Sequence, residues 1–233
     1  MGDTARLLTI ERELERSFVQ EEERDVRSPA GWTAALICFH LAQWRERLSV
    51  ALTDFSRGQS YSQPANVDEL NDRELASGRD LPLSQTSVRA DQTLANVIEL
   101  YGSIGEREFE WTITKTTGDA VLRNSYMHPR THISTYWREN GDERRAHQLI
   151  ENTVGELREL WPSPVILGAA VYNLACARVA QGRLDEALDL LDEASPMRPD
   201  ILERAGLDAE LAPLRGDARF EELTGGPSGV QTA

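Results

Sequence analysis

The stretch GWTAALICFHLAQWRERL, residues 31–48, decides the fold. Leu36, His40, Trp44, Leu48 and Leu52 form one row at i, i+4 spacing, the mark of a helix face turned toward a core. Arg45, Glu46 and Arg47 fall toward the outside of that row. The spacing predicts a helix over 32–55, closed by Gly58. The same period recurs upstream, where Leu7, Leu8, Ile10, Leu14, Phe18 and Val19 predict a helix over 5–24. Thr4 is its candidate cap, acidic residues fill its other face, and Ser28-Pro29 follows it. Downstream, Leu94, Val97, Ile98, Tyr101 and Ile104 mark a third helix over 87–114. Thr116 to Asp119 reads as a turn, with Asp119 a candidate N-cap. A fourth helical segment starts between Asp119 and Met127 and runs to 160. Pro129 begins or kinks it, and Gly141 is a second weak point. The expected fold class is therefore all-α, with four long helices forming a bundle over residues 1–161.

Residues 59–86 differ in composition, with Gln, Ser, Asn and Asp around Pro64, Gly78 and Pro82. A connection this long is unusual inside a compact domain. It leaves room for a short helix at 67–75, and for a crossover that makes the second and third helices parallel. Trp161-Pro162-Ser163-Pro164 reads as a stiff linker. Beyond it, residues 165–181 form a helix rich in Gly and Ala, Gly182 makes a turn, and 184–194 form a second helix. Short helical pieces follow at 201–205 and 217–223, and 225–233 are expected to be a disordered tail.

Composition excludes several classes of function. The 233 residues carry a formal net charge of −14, which repels nucleic acid and anionic membranes. No stretch approaches the roughly 20 apolar residues that span a bilayer. MGDTARLLTIERELERS, residues 1–17, lacks the layout of a secretory signal, so a cytoplasmic protein is expected. Cys38 and Cys176 each sit inside an apolar helical pattern and read as buried small hydrophobes.

The main chemical signal is HPRTH, residues 128–132. Imidazoles at i and i+4 share one helix face and can share a metal ion. Stepping back in helical turns from Ile150 points His128 and His132 inward, provided Gly141 does not break the phase. His40 lies on the inward row of the second helix. Three inward histidines from two helices are one way to build a metal centre in a bundle, and three protein ligands leave a coordination position open. The bland alternative is a core His40 with one hydrogen bond and a polar helix start at HPRTH. His147 falls off the inward phase and reads as a surface residue.

Two stretches, GWTAALICFHLAQWRERL (31–48) and NSYMHPRTHISTYWRENGD (124–142), resemble the second and fourth helices of the DinB-like four-helix bundle superfamily, and within it the ClbS/DfsB-type proteins. The resemblance covers residues 5–160. It implies an up-down-down-up bundle, and a divalent metal ion, zinc or nickel, carried over to His40, His128 and His132. It also implies a hydrolase or thiol transferase acting on a small electrophilic molecule, of a detoxification or self-resistance type. Pro129 between the two histidines is a departure, and ClbS-type proteins need not use the full triad. YNLACARVAQGRLDEALDLLDEA, residues 172–194, resembles a terminal tetratricopeptide repeat, and 200–223 its capping segment. That places a repeat-like segment over 162–224. One repeat is too short to form a peptide groove. It is expected to pack on the bundle, within the chain or across a homodimer.

Other candidates are single residues. Asp91, on the inward phase of the third helix, is a candidate base. Tyr136 and Glu139 follow His132 on its face and are candidate catalytic residues of the pocket. Trp44 is expected in the core and Arg130 at the surface. Substrate access is expected between 59–86 and 116–119. A non-enzymatic scaffold is the competing reading, and it requires an exposed apolar groove around Val171 and Leu188.

Overall fold

A computed structural model describes residues 2–24 and 29–225. Ser28 and the expected tail beyond Gly225 lie outside the described residues. The chain is all-α apart from one short hairpin. It divides into two compact units, Met1–Ala146 and His147–Ala233.

The first unit is built around α2 (Ala34–Ser56), which Thr33 caps by accepting a hydrogen bond from the Leu36 amide at 3.1 Å. The row Leu36, His40, Trp44, Leu48 and Leu52 is buried along its length. Helix α2 packs most extensively on α4 (Leu83–Ile104), and α1 (Asp3–Glu22) also lies on α4. Leu7, Leu8 and Phe18 of α1 are buried, as are Leu41 and Leu48 of α2 and Leu94 and Val97 of α4. Thr4 does not cap α1: its hydroxyl lies 3.3 Å from that of Tyr101. The short helix expected in 59–86 is α3 (Val67–Gly78), docked on α2. Gly78 is needed there because a Cβ would enter the Phe39 ring.

The third predicted helix ends ten residues early, at Ile104 instead of 114. Gly105, at φ +69°, stops it. EFEWTITKT then forms an antiparallel hairpin of β1 (Glu108–Trp111) and β2 (Thr114–Thr116). Its alternation of apolar and polar residues is a strand period, with Phe109 and Trp111 buried. Thr116, not Asp119, caps α5 (Thr117–Leu122), accepting from the Asp119 amide at 3.2 Å.

The fourth helical segment is three pieces. After α5 comes one π-helical turn, Arg123–Met127, then α6 (His128–Glu139) with Pro129 in its first turn. Proline has no amide proton for the carbonyl four residues back, and its ring crowds that carbonyl. The wider π turn just before it accommodates both. The Gly141 break, at φ +84°, separates α6 from α7 (Glu143–Leu160).

Charged residues expected at the surface are inside. Arg45 is fully buried, and its Nη1 donates to Glu15 Oε2 at 2.9 Å and to the Ala90 carbonyl at 3.2 Å. Its Nη2 donates to the other oxygen of Glu15. Arg130 is buried as well, donating from Nε to Glu11 at 2.6 Å and lying over the Tyr126 ring at 4.0 Å. Burial raises the Glu11 carboxyl above its ordinary value, against the pull of Arg130.

In the second unit, α8 (Pro164–Ala180) and α9 (Leu184–Ala194) pack together across Gly182. Gly168 lies against the side chains of Met197 and Arg198, where a Cβ would clash. Helix α10 (Pro199–Ala205), a 3₁₀ turn (Ala212–Leu214) and α11 (Ala218–Leu223) follow, with Asp217 capping α11. Tyr172 donates to Asp208 at 2.7 Å. Val171 and Leu188 are buried, so the groove that a scaffold reading requires is not exposed at those residues. Both cysteines are buried, and they form no disulfide. Among the described residues no helix is long and apolar enough to cross a membrane.

Candidate metal centre

Three ring nitrogens converge between α2 and α6. His40 Nε2 lies 3.1 Å from His128 Nε2, and His132 Nε2 lies 3.0 Å from the same atom. The three ligand atoms all fall within 4.8 Å of one another. His128 and His132 meet because they are one helical turn apart on α6, below the break at Gly141. His40 meets them because α2 presents its buried row to α6.

Hydrogen bonding alone does not satisfy this arrangement. A neutral Nε2 carries either one proton or one in-plane lone pair. The His128 atom has a nitrogen neighbour on each side and can share a proton with only one of them. A cation among three lone pairs satisfies all three at once. Two imidazoles on a tetrahedral zinc, at about 2.0–2.1 Å each, place their nitrogens roughly 3.3 Å apart, close to the spacing seen. Burial, as the largest cause, also strips the rings of protons. It lowers His40 to about 3 and His132 to about 4, and it holds His128 well below its ordinary value. Neutral imidazoles are the form that binds metal.

Two tryptophans wall the cluster. Trp32 stacks on His132 with centroids 5.0 Å apart and meets His40 edge-on at 5.2 Å. Trp44 meets His40 and His128 edge-on at 6.3 and 6.2 Å. The loop that brings Trp32 there is fastened to α6. Ala30 donates its amide to Asn140 at 3.0 Å, and Gly31, at φ +68°, lies against the Glu139 carboxylate. Trp44 is fixed by Asn71, which accepts from its indole at 3.1 Å, and by Asn124, which donates to its carbonyl at 3.2 Å. Asn71 and Asn124 carried no sequence signal, because each acts through a neighbour distant in the chain.

Neither Asp91 nor Glu139 belongs to the metal-competent group. Asp91 is held by two guanidinium groups across α1 and α4. Arg12 donates to both its oxygens at 2.7 Å, and Arg16 does so at 3.0 Å. The Arg12 hydrogen bonds, with those of Arg16, hold its carboxyl far below the usual carboxylate range, so it is a poor base. Tyr136 is buried against Phe18 at 5.2 Å and donates its hydroxyl to Glu22. Glu139 is exposed, beside Gly31. No carboxylate or thiol belongs to the metal-competent group among the described residues.

Asp91 also carries a pH signature. Its folded pKa is depressed, so the stability it contributes is present above its unfolded value, near 4, and is lost as pH falls below that. Between pH 5 and 3 the wild type is expected to lose on the order of 1 kcal/mol relative to Asp91→Asn. Urea melts of both proteins across that range check this.

No family model matches the chain, and no curated protein or solved structure matches it. The fold and the site therefore define its class by themselves: an all-α protein with one buried and two half-buried imidazoles that could hold a metal ion.

Proposed function

We propose that the protein binds one divalent metal ion, zinc or nickel, through His40, His128 and His132, and uses it on a small electrophilic substrate. The observation that supports this most directly is the approach of both His40 Nε2 and His132 Nε2 to His128 Nε2, at 3.1 and 3.0 Å. The reading includes a DinB-like, up-down-down-up arrangement of the four long helices, a ClbS/DfsB-type affinity, and a tetratricopeptide-like terminal segment. The sequence resemblance and the all-α architecture support these, and the function they suggest is hydrolase or thiol transferase chemistry in detoxification or self-resistance.

His40, His128 and His132 would hold the ion, which would supply a water-derived nucleophile near neutral pH. The chain's own part is to hold and orient. The i, i+4 geometry of α6 fixes two ligands, and α2 supplies the third. Trp32 and Trp44 limit water around the rings, which keeps them unprotonated. With no carboxylate in the group, acid–base work falls to the substrate, to a thiol co-substrate or to solvent.

The test is a panel of small strained-ring electrophiles and activated esters, with and without a thiol. They are incubated with zinc- or nickel-loaded protein, chelator-treated protein and a loaded His40→Ala variant. Consumption that needs both the metal and His40 is expected. Consumption equal in all three samples, or none in any, contradicts an enzymatic role.

A further inference from the structure

A cavity of about 480 Å³ lies beside α2, lined by residues of that helix between Gln43 and Asp54, by segment 60–64 and by Trp111. Its volume is within the range of small-molecule sites, roughly 300–1,000 Å³. None of the three histidines is on its wall. Segment 60–64 lines one side, and that segment is pinned to the hairpin. Tyr61 donates its hydroxyl to the Glu110 carbonyl at 3.1 Å. Gln63 donates to the same carbonyl and accepts from the Thr112 amide at 2.8 Å. The wall is thus preformed, which lowers the ordering cost of binding.

The lining chemistry is one-sided. Val50, Ala51, Pro64, Tyr61 and Trp111 supply apolar and aromatic surface. Tyr61 stacks on Phe109 at 4.8 Å, and Phe109 lies parallel to Trp111 at 6.3 Å, so the aromatic side is rigid. Two of the charged residues on the wall are already neutralised. Arg89 donates to both oxygens of Glu46, at 2.7 and 2.5 Å, and Arg47 is ion-paired with Glu74 through Nη2, while its Nη1 has no hydrogen-bond partner. Asp54 is different. It is half-buried on the wall, and its carboxylate has no side-chain partner among the described residues. One uncompensated carboxylate beside the Tyr61 ring favours a cation, through ion pairing and through the negative face of that ring.

We propose that this cavity binds an organic cation with an apolar body, of the aryl- or alkyl-ammonium class, with Asp54 as counter-ion and Tyr61 and Trp111 as the aromatic wall. None of the three histidines belongs to its lining, so binding does not require metal.

Isothermal titration of the full chain, metal-free and zinc-loaded, tests this with benzyltrimethylammonium, benzyl alcohol and benzoate as probes. Saturable binding of the cation alone is expected, equal in the two metal states. Asp54→Asn should weaken it about tenfold. Val50→Arg should abolish it, and since Val50 is exposed this variant disturbs no core packing. Benzyl alcohol or benzoate binding as tightly, an unchanged affinity in Asp54→Asn, or no saturable binding overturns the proposal.

Discussion

His128→Ala is expected to lose metal binding almost completely, more than His40→Ala or His132→Ala. His128 Nε2 is the atom that both other nitrogens approach, at 3.1 and 3.0 Å. Without it the remaining pair is one protein ligand short of a three-nitrogen centre. Affinity should fall by at least about 100-fold, since even outer-shell partners of metal ligands are worth 10–100-fold. The loss should also appear in stability. A ligand that binds only the folded state, present at 100 times its Kd, stabilises by about 2.7 kcal/mol. Thermal melts with and without zinc should show that gain in the wild type and in His147→Ala, and not in His128→Ala. Metal-dependent stabilisation that survives in His128→Ala would place the ion elsewhere.

Arg45→Met is expected to cost about 3–5 kcal/mol, the range for breaking a buried ion pair on one side only. The guanidinium is fully buried and held by Glu15 on two nitrogens and by the Ala90 carbonyl. Removing it leaves Glu15 charged in a site with little water. Removing both charges should restore most of the loss, because a well-packed apolar pair avoids the desolvation that the ion pair must offset. The double variant Arg45→Met/Glu15→Leu is therefore expected to be more stable than Arg45→Met in urea titrations. A double variant no better than the single would mean that Arg45 acts through packing and its bond to Ala90, not through Glu15. The same arginine faces His128 electrostatically and, after burial and the other histidines, helps keep that ring unprotonated. Arg45→Met therefore also tests how far this charged layer supports the metal centre.

What the sequence shows and what it hides follow from the range of the interactions. The pair His128 and His132 is legible because its geometry is local: four residues along one helix place two rings on one face. The projection from Ile150 that pointed them inward is a different matter. It assumes one unbroken helix from 128 to 157, and the break at Gly141 removes that premise. The two rings are turned toward α2 by the packing of α6 itself. His40 is legible from the apolar row around it. The hairpin at 108–116 left a readable period-two pattern in EFEWTITKT, masked by the helical stripe that ends at Ile104. Glu11, Glu15, Arg45 and Arg130 could not be read. Charged residues on a helix flank look solvated until a partner on another helix, 30 to 119 positions away, is known. Asp91 fails as a base for the same reason, since Arg12 and Arg16 reach it from α1.

The most direct measurement is X-ray absorption at the metal edge of the zinc- or nickel-loaded protein. Three histidines as ligands predict a first shell at about 2.0–2.1 Å with three imidazole scatterers and an oxygen remainder from solvent, at one metal per chain. An oxygen-only first shell, a sulfur contribution, or no stoichiometric uptake would contradict a metal centre formed by His40, His128 and His132.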